Sequence, residues 1–157
     1  MVKLSNEVVD LLRDPETIKV LTTTDEKGMP HTVFKGSLTA LDENNIAFME
    51  LLETGNTQRN ILRNHWDNKR VAVAVYNQRK NLSYQIKGKP VRFINYGPVW
   101  RQFLDQTWAQ LPDADPAGVW LIEPEEIINQ DYHASRKREE KRVLNQSLWR
   151  RFEGKRA

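Results

Sequence analysis

Residues 17–52, TIKVLTTTDEKGMPHTVFKGSLTALDENNIAFMELL, decide the fold. The β-branched runs TIKVLTTT (17–24) and PHTVFKG (30–36) flank Asp25-Glu26-Lys27-Gly28, whose glycine can take the positive φ that a hairpin turn requires. SLTALD (37–42) and IAFMELL (46–52) flank Glu43-Asn44-Asn45, a second turn made of residues that tolerate left-handed geometry. Strands this close in sequence have no room for a helical crossover, so they pair antiparallel.

Upstream, Ser5 followed by NEVVDLL predicts a short capped helix, with Glu7 and Asp10 near its N-terminal half and Asp14-Pro15 ending it. Downstream, RVAVAVYN (70–77) is nearly continuous in apolar character and predicts a fifth strand. LSYQIKGKPVRFI (82–94) alternates and predicts a sixth, with Gly88 and Pro90 marking a bend or bulge. In PVWRQFLDQTWAQL (98–111), Trp100, Phe103, Leu104, Trp108 and Leu111 lie three or four apart, which makes an amphipathic helix with Pro98 in its first turn. VWLIEP (119–124) predicts a last short strand, and Glu123, Glu125 and Glu126 around Pro124 then read as the acidic start of a helix. The expected architecture is a mainly β, α+β antiparallel barrel of about six or seven strands with a few flanking helices. Closure would also remove exposed edges.

At 157 residues the chain is about one domain long and can bury its own core. The absence of cysteine excludes disulfides, thiolate metal ligands and a cysteine nucleophile, and fits a reducing, cytoplasmic setting. Apolar runs fall far short of the ~20 residues of a membrane helix, and MVKLSNEVVDLL is too polar for a signal peptide, so a soluble protein with no membrane association is expected. The net charge of +3 is unevenly spread. Residues 134–157 carry nine Lys or Arg against three Glu, and residues 1–133 carry a net −3. This separates a barrel domain, 1–133, from a basic C-terminal helix, 134–157. Leu144, Leu148 and Phe152 recur every four residues there, so the helix is expected to pack on the same domain or on a dimer partner and not to bind nucleic acid.

Between the fourth and fifth strands lies ETGNTQRNILRN (53–64). Its small polar residues suit helix capping, since Thr and Asn oxygens accept from first-turn amides. They equally suit an anion site, because the same amides and the helix dipole attract phosphate.

The order hairpin, hairpin, helix, hairpin, helix, strand resembles the pyridoxamine 5'-phosphate oxidase-like FMN-binding split-barrel family over about residues 8–123. Two patterns carry the resemblance: Gly28-Met29-Pro30-His31-Thr32-Val33 in the first hairpin, and Thr57-Gln58-Arg59-Asn60-Ile61 at the start of the helix. It implies a Greek-key split barrel that binds FMN between the subunits of a homodimer. Val33, Phe34, Lys35 and Ser37 would then lie near ring and ribityl chain, and Thr54, Asn56, Thr57, Arg59 and Asn60 around the phosphate. Trp100 and Trp120 are the candidate ring stackers. Many relatives carry a lysine where this chain has Asn56 and Thr57, so charge for the phosphate would come from Lys35, Arg59 or backbone amides. The Arg-x-x-Pro-like ending of true pyridoxamine-phosphate oxidases is missing from WRRFEGKRA, which argues against vitamin B6 oxidation.

His31, His65 and His133 show no metal-ligand spacing and no Gly-x-Ser-x-Gly occurs, so no protein-based catalyst stands out. A flavin carries its own redox chemistry, and the resemblance implies an FMN-dependent oxidoreductase passing a hydride or electrons from a donor such as a nicotinamide to a small-molecule acceptor. The alternatives are an FMN carrier or regulator without turnover, or a deazaflavin or haem protein of the same barrel, His133 being the candidate haem ligand.

Overall fold

The computed structural model describes residues 2–153. Helix α1 (Asn6–Arg13) opens on Ser5, whose side chain accepts from the Val8 amide, and buries Val8, Leu11 and Leu12. Strands β1 (Ile18–Thr24) and β2 (Pro30–Phe34) form the expected hairpin, paired from Val20↔Phe34 to Thr24↔Pro30. Gly28 takes φ 79°, and the Asp25 carboxylate accepts from the amides of Lys27 and Met29 at 2.8 and 2.9 Å. There follow β3 (Thr39–Ala40), β4 (Ile46–Glu50), α2 (Asn56–Trp66), β5 (Val71–Asn77), β6 (Leu82–Ile94), α3 (Gly97–Gln110), β7 (Gly118–Asn129) and α4 (Tyr132–Glu153).

The seven strands form one antiparallel sheet in the order β2-β1-β5-β6-β7-β4-β3. Its two end strands, β2 and β3, are consecutive in the chain and joined only by residues 35–38. Five residue steps reach at most about 18 Å, so the sheet has to curl until its edges nearly meet. The hydrogen-bonded ring stays open at that seam, which makes the molecule a split barrel.

Inside lie Leu21, Ile46, Phe48, Val73, Val75, Ile86, Trp120 and Ile122, capped by Leu11 and Leu12 of α1 and Ile61 of α2. A smaller cluster joins Ala47, Met49 and Val119, on the outer face of β4 and β7, to Phe103 and Leu104 of α3. Strand β4 is therefore buried on both faces, which explains its unbroken apolar run. In β5 the valines 71, 73 and 75 point inward while Ala72 and Ala74 face out, so the apparently continuous run is an alternation in size. Strand β6 shifts register at Lys87/Gly88 and again at Pro90/Arg92, as its glycine and proline predict. A Cβ on Gly88 would stand 2.6 Å from the Glu123 carbonyl oxygen, too close for any side chain.

Two sequence expectations need correction. The strand expected over 37–42 shrinks to Thr39–Ala40, because the Ser37 hydroxyl bridges the Met49 backbone and the Leu38 amide turns back to the Lys35 carbonyl. The strand expected over 119–124 continues to Asn129, so Glu125 and Glu126 lie on a sheet and not at a helix start. Pro124 sits opposite Gly88 at the register shift, where its missing N–H is tolerated. The acids pair across the sheet instead, Glu125 with Arg70 at 2.6 Å and Glu126 with Lys87 at 3.5 Å. The last helix begins only after Asp131, which accepts from the amides of His133 and Ala134. In the single chain Leu144 and Leu148 are exposed, and the side chain of Phe152 lies outside the described residues. No described helix is long and apolar enough to cross a membrane.

Candidate functional site

Helix α2 starts without a side-chain cap. Its N-cap is Gly55, Thr54 is exposed, and the Asn56 side chain accepts from the Arg59 guanidinium at 2.6 Å. The capping role that Thr and Asn suggest is therefore not taken up. Among the described residues the amides of Asn56, Thr57 and Gln58 have no acceptor, so they and the positive end of the helix dipole are free to face an anion. Thr57 is buried, with its hydroxyl 3.3 Å from Nε2 of His31 on β2. Asn60 reaches the Thr23 hydroxyl at 3.3 Å and Asn64 bonds to Thr24, which fixes the helix against β1. Arg59 is exposed and has no carboxylate partner among the described residues.

A cleft of about 860 Å³ opens between the 35–38 link, the end of β4 and α3. Phe34, Lys35 and Ser37 line it. The Lys35 ammonium lies 3.2 Å from both carboxylate oxygens of Glu50 and 5.1 Å from the centre of the Phe48 ring. Glu50 is buried and Lys35 half-buried, and Glu50 also accepts from the amides of Leu51 and Leu52. The charge of Lys35 is therefore already matched within the chain.

The candidate residues thus divide. Thr54, Asn56, Thr57, Arg59 and Asn60 gather at the start of α2, and Phe34, Lys35 and Ser37 face the cleft. Val33 packs against the barrel core, and Trp100, in the first turn of α3, packs against the outer cluster. Trp120 is 1% exposed, flanked by Phe93 and His65, with its indole N–H donated to Gln58 at 2.8 Å. His65 Nδ1 is bonded to the Pro90 carbonyl at 2.7 Å, and no group of metal-ligating side chains occurs among the described residues.

Sequence reasoning gave His31 no role, yet the strand places it on Thr57; nothing local signals a contact across 26 positions. It also passed over Lys19, which lines the cleft, although a lysine on the core-facing phase of β1 is a visible break in pattern. The matching of Lys35 by Glu50 likewise needs the fold.

The family model for pyridoxamine 5'-phosphate oxidase matches residues 4–131. The chain belongs to the pyridoxamine 5'-phosphate oxidase family. Solved structures of that fold agree in shape. HupZ of Group A Streptococcus is 25% identical, with a TM-score of 0.64 over 82% of this chain and 95% of that one. An FMN-binding protein of Syntrophomonas wolfei is 8% identical, with a TM-score of 0.60 over 80% and 87%. The haem storage protein HutZ of Vibrio cholerae is 14% identical, with a TM-score of 0.55 over 82% and 95%. The last two likenesses concern the fold alone. No curated protein sequence matches this family member significantly.

Proposed function

We propose that this family member is an FMN-binding flavoprotein, a homodimer, that acts as an oxidoreductase on small molecules. The observation that carries the reading is the start of α2: three first-turn amides without acceptors, beside a buried Thr57 hydroxyl and an exposed Arg59 with no carboxylate partner among the described residues. That donor set suits a phosphate dianion, since amides, a hydroxyl and a guanidinium all donate and none must first lose a proton. Thr57 would give its hydroxyl and amide, Gly55 keeps the approach open, and Arg59 swings from Asn56 to the phosphate edge. His31 orients the Thr57 hydroxyl from behind. Phe34 and Ser37 would meet the ring and ribityl side, with Lys35 contributing its position and little free charge. Bound there, FMN supplies hydride or electron transfer between a reduced donor such as a nicotinamide and an acceptor. Dimerisation is supported by the exposure of Phe34, Leu51 and Leu52 around this region, an apolar surface that a second subunit would cover.

FMN and riboflavin titrated in parallel into ligand-free protein, followed by flavin fluorescence, test the reading. FMN should bind at least about tenfold more tightly, the yield of one charged hydrogen-bond set. Equal affinity for riboflavin removes the phosphate site, and a purified protein with a Soret band and no flavin absorbance replaces FMN with haem. Bleaching by NADPH and recovery in air separates an enzyme from a carrier.

A further inference from the structure

Helix α4 lies outside residues 4–131, the stretch that matches the family, so nothing in the family likeness accounts for it. Beyond its cap at Asp131, no hydrogen bond or ion pair joins it to the barrel among the described residues, and every residue from Glu139 to Arg151 is exposed. Helices draw most of their stability from tertiary packing, yet this one of 22 residues leaves Leu144, Leu148 and Trp149 uncovered. Its two sides differ. With about 3.6 residues per turn, Lys137, Arg138, Lys141 and Arg142 share one half of the helix surface with Leu144, Leu148 and Trp149, and Glu139 and Glu140 fall on the other. Glu140 is taken by Arg136 at 3.1 Å, whereas the four cations of the first half have no carboxylate partner among the described residues.

A surface of matching character lies at one end of β7. The Ala117 amide donates to the Glu50 carbonyl at 2.8 Å, which holds residues 111–117 against the end of β4. Leu51, Leu52 and Leu111 are exposed there, among the exposed acids Glu53, Asp113 and Asp115. Helix α4 leaves from the other end of the strand, after Asn129, whereas Gly118 pairs with Glu50. The strand between spans roughly 36 Å, and Leu144 to Trp149 stand only about 20–27 Å along the helix from Asp131. Laid back along β7, α4 therefore falls short of this surface on its own chain. Two α4 helices side by side would set their unpaired cations against each other. The barrel does not repel them, since residues 1–133 carry a net −3. We propose that α4 crosses to a second copy of this chain, setting Leu144, Leu148 and Trp149 on Leu51, Leu52 and Leu111 of the partner subunit and its cations towards the acids around them. The exchange is reciprocal in a two-fold dimer. It rests on the homodimer of the proposed function and adds the segment that covers the rim of the cleft.

The chain has no cysteine, so a single Asn145→Cys on the apolar half of α4 can carry a photoactivated cross-linker in the full-length protein. Subunits of this variant are exchanged with an excess of isotopically heavy wild-type subunits, and the cross-linked peptides are read by mass. Cross-links should join light α4 peptides to heavy peptides containing residues 51–53 or 111–115. Cross-links confined to the chain that bears the reagent, or absent from those segments, overturn the proposal. Leu144→Asp combined with Leu148→Asp should weaken the dimer at least about tenfold in sedimentation, with the barrel still folded; an unchanged dissociation constant overturns it too. Salt-sensitive binding of duplex DNA, lost in a Lys137→Gln, Arg138→Gln, Lys141→Gln, Arg142→Gln variant whose dimer is unaffected, gives α4 to a polyanion instead. Wild-type protein that sediments as an 18.4 kDa monomer removes the homodimer and the exchange together. A stable dimer with α4 cross-linked elsewhere removes the exchange alone.

Discussion

The start of α2 and the floor of the cleft both present positive charge, by opposite means. At α2 the charge is spread over backbone amides and one water-exposed guanidinium, so it is inexpensive to maintain and individually weak. In the cleft Lys35 is half-buried and matched by buried Glu50, and Lys19 is buried with only Asp14, itself held by Lys80, as its charged neighbour, so each is more expensive to maintain and its effect larger. The contrast teaches that burial, more than the count of cations, decides what a charge contributes to stability and to binding.

The largest effect should come from breaking the matched pair. Lys35→Met leaves Glu50, with its side chain 4% exposed, without its cation, and should lower the unfolding free energy by about 3–5 kcal/mol in urea. Adding Glu50→Met should recover more than half of the loss; equal destabilisation in single and double variants would mean the pair is not what buries these groups. Next, Thr57→Ala should weaken FMN about tenfold to a hundredfold, the 1.5–3 kcal/mol of a hydrogen bond to a charged group, and leave riboflavin nearly unaffected.

Lys19→Met should do the reverse of the first and stabilise the ligand-free protein at neutral pH by about 1 kcal/mol at most, because a partly desolvated ammonium is removed whose charged neighbour, Asp14, is already held by Lys80. Its pH dependence has a definite sign. The folded-state pKa of Lys19 lies below the 10.5 of the unfolded chain, so the unfolded state holds the extra proton in the window between them. Wild-type stability therefore rises relative to Lys19→Met as pH climbs through the folded pKa towards 10.5, and the advantage of the variant should shrink in melts above neutrality. The smallest effect is expected of Arg59→Ala, a loss of about two- to fivefold in FMN affinity at low ionic strength. It should fade near 0.5 M salt, where the Debye length falls to roughly 4 Å. A large, salt-insensitive loss would show that Arg59 is desolvated in the bound state.

Much of the barrel was legible because its strands speak in period two. The bounds of β6, the hairpin at Gly28 and the irregularities at Gly88 and Pro90 follow from alternation and turn chemistry alone. β7 was misjudged because its second half, EPEEIIN, has the composition of a helix start, and only pairing with β6 makes it a strand. β3 was overestimated because a bridging Ser37 hydroxyl and the turn at Leu38 consume the first residues of SLTALD. At the candidate site, the residues around Thr57 were singled out through family pattern, while His31 behind Thr57 and Glu50 against Lys35 depend on contacts between distant positions. Such contacts leave no local periodicity to read.

The seam between β2 and β3 also governs the order in which the chain can assemble. The hairpins β1–β2 and β5–β6 can form from neighbouring residues, but β4 has to wait for β7, pairing Ile46 with Ile122 and Glu50 with Gly118. On a ribosome adding about 5–20 residues per second, the interval between the two strands lasts roughly 4–15 s. For that time IAFME, destined for burial on both faces, has only the two-residue β3 to pair with, and the covalent link at 35–38 holds that hairpin beside a β2 edge with which it does not pair. The nascent barrel is thus most vulnerable to misassociation late in synthesis, until Gly118–Asn129 emerges and completes the sheet.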